Sequence, residues 1–229
     1  MGIRKDEGVV IQAVIWDFGG VFTTSPFEAF NRHEAQRGLP RDLIRTVNAT
    51  NPDSNAWALF ERGEIDSHAF DLKFHEESAA LGHPVRGAEI LPLLSGEVRP
   101  RMVEALLTCK RRFKVGCITN NMVHGHGPGM ATNPTGATRA GDIMRHFDAI
   151  IESSKAGVRK PDPRIYLMIC ELLGVEAKAC VYLDDLGINC KPAAQLGMAA
   201  IKVVTEDQAL ADLESATGLT FPKLVAAPD

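Results

Sequence analysis

The chain has 229 residues, of which 45% are hydrophobic and 24% charged, with a formal charge of −4. That length suits one large α/β domain, or a core domain carrying a smaller insertion. No basic block marks a nucleic-acid binder, and no apolar stretch approaches the ~20 residues of a membrane helix.

Cys109, Cys117, Cys170, Cys180 and Cys190 lack CxxC spacing and fall largely within apolar runs. They are expected to stay reduced as small buried hydrophobes. The start of the chain is charged and too short before the first apolar run to form a signal peptide. Met1-Gly2 resembles a myristoylation start, but Asp6 stands where Ser or Thr is needed. The expectation is a soluble cytoplasmic protein with a small-molecule partner, without nucleic acid or membrane contacts and with no sign of an oligomer.

Residues 9–25 read VVIQAVIWDFGGVFTTS. The β-branched run Val9, Val10, Ile11, Val14, Ile15 predicts a strand buried on both faces, ending at Asp17 and broken by Gly19-Gly20. From residue 26 to about 100 no strand pattern occurs. Ser25-Pro26 offers an N-cap and an N1 proline for a helix through Phe27, Phe30 and Glu34. Three more helical fragments follow, carried by Leu43, Ile44 and Val47, by Trp57 and Phe60, and by Phe70, Phe74 and Leu81. A helical block placed directly after the first strand reads as an insertion over residues 25–97, with an α/β core at 1–24 and 98–229.

A helix is expected over 101–112, with Met102, Leu106 and Cys109 on one stripe, and strands over 113–118 and 149–151. Residues 122–138 hold four glycines and two prolines without periodicity, and read as a flexible loop. His124 and His126 within it lack a nearby third ligand and are weak grounds for a metal. Residues 163–173 form an amphipathic pattern with Ile165, Met168, Ile169 and Leu172 inward and Gly174 just beyond. Strands at 179–183 and 199–204 flank another helix, and Thr205 with Gln208 makes a capping box for the last one. Strands alternating with helices imply right-handed crossovers and a parallel sheet.

Polar residues fall at four points along one predicted sheet edge: Asp17, Thr119-Asn120, the segment with Lys160, and Asp184-Asp185. One such Asp alone is as well explained as a turn or helix cap. Together the types suit phosphoryl chemistry. A carboxylate can attack phosphorus, a hard cation such as Mg²⁺ takes oxygen ligands, Thr119 and main-chain N–H groups can bond phosphate oxygens, and a lysine offsets charge on the transferring group.

DFGGV, ITNN, RKPDPRIY and LDDLGIN resemble, in that order, motifs I to IV of the haloacid dehalogenase superfamily. The helical block resembles its C1-type cap, which implies a Rossmann-like core with a cap inserted after the first strand. Residues 146–221 are similar to the N-terminal phosphatase domain of soluble epoxide hydrolases. DFGGV also resembles domains fused to some acyl-CoA dehydrogenases. The resemblance implies Asp17 as nucleophile and Mg²⁺ ligand, with the Gly19 backbone carbonyl and Asp185 as further metal ligands. Thr119 and Asn120 would bind phosphate and Lys160 would neutralise charge, with Asp184 and Asn189 as partners behind the ligands.

Phosphatases of this superfamily carry a second Asp where Gly19 stands, and it acts as general acid and base. Losing it is worth roughly 10²–10⁴-fold in rate. Thr23, Thr24, Glu28, Glu61 and His124 are candidates to replace it. The expected function is a Mg²⁺-dependent phosphohydrolase acting on a small phosphorylated metabolite through Asp17. The alternatives are phosphotransfer from acyl phosphates, which need little leaving-group protonation, and a non-catalytic phosphate-ligand or protein-binding module. A dehalogenase, which works without metal, fits the Asp184-Asp185 pair less well.

Overall fold

A computed structural model describes residues 9–122 and 134–221 of the chain. Five strands, β1 (Ala13–Trp16), β2 (Lys114–Thr119), β3 (Ala149–Glu152), β4 (Cys180–Asp184) and β5 (Ala199–Lys202), form one parallel sheet in the order β3-β2-β1-β4-β5. The four β1 residues are fully buried, and so are Val181, Tyr182 and Leu183 beside them. Both faces must therefore be covered, as parallel sheets require.

Side chains alternate across the pleat. Val14 and Trp16 join a cluster with α6 (Pro100–Lys110), α7 (Pro134–Met144) and α11 (Glu206–Thr217), while Ala13 and Ile15 join one with α9 (Pro163–Leu173) and α10 (Gly187–Gln195); the single turn α8 (Ser153–Ala156) follows β3. α11 opens on the expected capping box, with Thr205 and Gln208 each bonding the other's backbone N–H.

Between β1 and α6 run α1 (Pro26–Arg37), α2 (Leu43–Ala49), α3 (Ala56–Glu61), α4 (Ser67–Ala80) and the single turn α5 (Gly87–Ile90). They share a third cluster built on Phe30, Ile44, Phe60, Phe70, Phe74 and Ile90, into which Met122 from the end of β2 also packs. Phe60 and Phe70 stack at 4.8 Å, and Trp57 meets Phe70 edge-on at 5.7 Å. Chain order and cluster membership make these helices a unit of their own. An isolated antiparallel bridge, Thr23 to Val98, closes its entry against its exit.

Several local expectations are corrected. β1 begins only at Ala13, where pairing to both Lys114 and Cys180 starts. Val9 and Val10 lie outside the sheet, 54% and 75% exposed. In α9 the buried face is Ile165, Tyr166, Ile169, Cys170 and Leu173, and Leu172 points to solvent. The phase is turned because Tyr166 is drawn inward to donate its OH to the Asn189 carbonyl. Leu81 is the exposed C-cap of α4 rather than a core residue. β5 stops at Lys202, leaving Val204 exposed. Residues 134–138, expected as loop, open α7, which is held by burial of Ala140, Ile143 and Met144. His124 and His126 lie outside the described residues.

Candidate active site

In an open α/β sheet, ligands bind beyond the carboxyl ends of the strands where the strand order reverses. Here that point lies between β1 and β4. Trp16 is level with Leu183, and the Asp17 N–H donates to the Leu183 carbonyl at 2.8 Å. Asp17 and Asp184 therefore leave the sheet side by side.

Lys160 arrives just ahead of α9 and inserts its ammonium between them. Its Nζ lies 2.7 Å from Asp17 Oδ1 and 2.8 Å from Asp184 Oδ2, with its side chain 1% exposed. Burial alone would lower the lysine pKa, but Asp17 and Asp184 outweigh it and raise it, so the ammonium stays charged. Asp17 Oδ1 also accepts from the Phe18 N–H at 2.7 Å. Burial pushes Asp17 well above the usual carboxylate range, opposed by Lys160 and reinforced by Asp184 and Asp185. Asp185 is pushed up to about 6, by burial first and by Asp184 next.

The three aspartates do different work. Asp184 is fully buried and accepts from Lys160 Nζ, Tyr182 OH (2.6 Å), the Leu186 N–H (2.8 Å) and Asn189 Nδ2 (3.1 Å to each oxygen). A carboxylate offers about four lone-pair sites, and these bonds use them. Asp185 is less engaged, taking the Ser25 hydroxyl at 3.2 Å on Oδ2 and its own backbone N–H. Oxygens from Asp17, Asp184 and Asp185 fall within 4.8 Å of one another. Three carboxylates against one ammonium leave surplus negative charge, and hard oxygen donors suit Mg²⁺. The residues therefore fit a divalent cation, with Asp17 and Asp185 as the carboxylates whose lone pairs are least engaged.

The loop after β1 is shaped around Asp185. Gly20 has φ +73°, and a Cβ there would lie 2.2 Å from Asp185 Oδ2, so only glycine lets that carboxylate sit against the loop. At Gly19 a Cβ would meet nothing within 4 Å. Thr119, 4% exposed, ends β2 on the same edge. The Asn120 side chain is turned to the protein: Nδ2 donates to Glu61 Oε2 (3.2 Å) and the Lys160 carbonyl (3.1 Å), and Oδ1 accepts from the Lys160 N–H (2.9 Å).

Some residues at this edge carried no functional signal in the sequence. Ser25 does not cap α1 with its side chain but bonds Asp185. Arg159 and Trp57 both meet Glu61. The Trp57-x-x-x-Glu61 spacing places the two on one helix face, yet nothing in it says that this face meets the sheet edge. Of the candidates for the missing acid, Glu28 is a surface residue near Arg32, and Glu61 is held by Trp57, Asn120 and Arg159. The Thr23 hydroxyl accepts from the Gly20 N–H and the Thr24 hydroxyl from the Glu97 N–H.

The family model for haloacid dehalogenase-like hydrolases matches residues 11–197. Mouse acyl-CoA dehydrogenase family member 10 is 31% identical over 95% of this chain and 20% of its own length. Rat bifunctional epoxide hydrolase 2 is 34% identical over 94% of this chain and 40% of its own. The chain thus spans well under half of these two relatives. A Mycobacterium tuberculosis phosphatase is 31% identical over 90% of this chain and 94% of its own. Among solved structures, a HAD family enzyme of Bacteroides thetaiotaomicron in complex with magnesium and inorganic phosphate superposes with a TM-score of 0.54. It has 18% identity and covers 84% of this chain and 93% of that one. The parallel sheet, its strand order and these matches lead to one assignment: the chain belongs to the haloacid dehalogenase-like hydrolases.

Proposed function

We propose that the chain is a Mg²⁺-dependent phosphohydrolase for a small phosphorylated metabolite, with Asp17 as nucleophile. The observation that carries this is the Asp17 carboxylate at the sheet's switch point, tied to the Lys160 ammonium at 2.7 Å and crowded by two further carboxylates. Asp17 forms the new O–P bond as the bond from phosphorus to the leaving oxygen breaks, and water then cleaves the aspartyl-phosphate to release phosphate. Lys160 offsets charge on the transferring group. Asp184 holds Lys160 in place and is itself fixed by Tyr182 and Asn189. Thr119 and the Asn120 main-chain N–H bond phosphate oxygens, the Asn121 N–H being taken by Ser153 Oγ. Asp17, Asp185 and the Gly19 carbonyl would hold Mg²⁺, which supplies electrostatic stabilisation of the phosphoryl group when bound. Residues 25–97 act as a cap on the core of 1–24 and 98–229.

A second reading of the substrate rests on Gly19 and on the engaged state of the described candidates to replace its acid. Acyl phosphates expel a carboxylate that needs no proton, so this site would use them better than alkyl phosphates. Mg²⁺-dependent phosphate release from p-nitrophenyl phosphate and acetyl phosphate, abolished in Asp17→Asn, tests both readings. Faster acetyl phosphate cleavage with an Asp17-linked phospho-adduct by intact mass selects the second. No turnover and no adduct across a phosphate panel would overturn catalysis.

A further inference from the structure

Glu61 is the point where the helical unit grips the sheet edge, and its bonds are unlike those of any other acid in that unit. Its side chain is 8% exposed. It accepts from Trp57 Nε1 at 2.9 Å and from Asn120 Nδ2 at 3.2 Å, and its Oε2 forms an ion pair 2.6 Å from Arg159 Nε, without hydrogen-bond alignment. Its backbone carbonyl accepts from Ser153 Oγ at 2.6 Å, and Ser153 Oγ also receives the Asn121 N–H at 3.0 Å. One residue of α3 thereby contacts the end of β2, the residue after β3, and the residue before Lys160.

Asn120 converts that grip into alignment. Its amide both donates to and accepts from the Lys160 peptide, at 3.1 and 2.9 Å, while Glu61 takes its other N–H. With both amide protons committed, Asn120 meets a phosphate through its main-chain N–H, and its side chain fixes where the Lys160 backbone sits. We propose that Glu61 is a positioning residue for the phosphoryl site. Acting through Asn120 and Arg159, it sets the backbone that delivers Lys160 between Asp17 and Asp184. This rests on the phosphohydrolase reading of the site. Glu61 touches no reacting atom, so it works by holding other groups, as residues behind catalytic and metal-binding groups commonly do.

The test is calorimetric binding of inorganic phosphate with Mg²⁺ present, beside steady-state cleavage of p-nitrophenyl phosphate, for wild type, Glu61→Ala, Glu61→Gln, Asn120→Ala and the double variant Glu61→Ala/Asn120→Ala. Glu61→Ala is expected to weaken phosphate binding and lower kcat by ~10–100-fold, the range seen for loss of such supporting partners. Mg²⁺ affinity should be unchanged, because Asp17 and Asp185 are not touched. Glu61→Gln keeps an acceptor and should recover most of the loss. The double variant should be no worse than Asn120→Ala, since residues acting in one chain are not additive. Glu61→Ala and Glu61→Gln with wild-type phosphate binding and kcat, or strictly additive losses with Asn120→Ala, would overturn the positioning role while leaving the function intact. Should Glu61→Ala fail to fold, wild-type phosphate binding and kcat in both Asn120→Ala and Arg159→Gln overturn it, since Glu61 acts through these two residues. A wild type that neither binds phosphate nor turns over brings down the functional reading, and the role of Glu61 with it.

Discussion

Both halves of the molecule bury carboxylates, but they use them in opposite ways. In the helical unit each is matched to donors that settle it. Glu34, 1% exposed, accepts the N–H groups of Asp42 and Ile44 and so closes the start of α2 from α1. Glu77 takes the Ala56 N–H at the head of α3, and Asp71 takes the Ala88 N–H and the Arg86 guanidinium. Glu34 and Asp71 substitute for missing side-chain caps of α2 and α5, and Glu77 adds to the Asn55 cap of α3. At the sheet edge Asp17, Asp184 and Asp185 share one ammonium, and two of the three are pushed to higher pKa by burial and by each other. Balanced acids build the fold, and the unbalanced group marks the chemistry.

Removing the one cation should break that contrast most severely. Lys160→Met leaves the buried Asp17 and Asp184 with neutral donors but no balancing cation, and breaking such a charge pair costs ~3–5 kcal/mol. Urea unfolding should register that loss, and phosphate release should fall to background. By the same logic, Asp17→Asn should abolish turnover yet leave stability equal to or above wild type, since it removes a crowded charge. A strongly destabilised Asp17→Asn would mean that the sheet-edge acids are as structural as those of the helices.

Gly19→Asp tests whether the site lacks only a proton carrier. A Cβ there meets nothing within 4 Å, so a side chain can start at this position without a clash at its first atom. An alkyl phosphate should then turn over ~10²–10⁴-fold faster, the usual worth of general acid–base help. An unchanged rate would mean that another group already serves, or that esters are not the substrate.

The sheet was legible because fully buried parallel strands leave uninterrupted apolar runs, and because each run ends on a polar residue. The positions of Asp17 and Asp184-Asp185 therefore followed from where the runs stop, whereas Lys160 lies well past the end of β3 at Glu152 and took its role from the motif RKPDPRIY. What stayed hidden depends on distant pairing. Val9 and Val10 have the composition of a strand but no neighbour to pair with. Leu172 yields its place to Tyr166, whose hydroxyl has a partner 23 positions along the chain. Ser25 sits in a helix-cap context yet bonds a carboxylate 160 positions away. In the sequence Glu61 is only one of several candidates for a missing acid, and its grip on the sheet edge shows once α3 is placed against Asn120 and Arg159. Local pattern reports which face is apolar, not which polar atom will be met across it.

Among the balanced acids, Glu34 should matter next. Glu34→Ala strands the buried Ile44 N–H and loosens the part-buried Asp42 N–H at the start of α2, and an unsatisfied buried donor costs ~1–3 kcal/mol. Unfolding midpoints should drop accordingly while the ratio of rates on acetyl phosphate and p-nitrophenyl phosphate holds. A change in that ratio would show that α1 and α2 also shape the substrate.

The smallest effect is expected from Asp71, whose side chain is 11% exposed beside a guanidinium that is 48% exposed. The Arg86 hydrogen bond, helped by the Ala88 N–H, holds Asp71 at about 2 against a usual 3.8. A depressed folded pKa means that the pair stabilises the protein above the unfolded value and that this gain is lost as pH falls from about 4 towards about 2. Wild type should therefore lose a few degrees of Tm across that window beyond what Asp71→Asn loses, with the two curves parallel above pH 5. Because Arg86 is largely open to water, added salt should shrink the difference. The sheet-edge acids make the opposite contribution: Asp185, pushed up to about 6, disfavours its charged form in the fold. Equal acid sensitivity in wild type and Asp71→Asn would place the main acid-sensitive charge elsewhere and remove Asp71 from the balanced set.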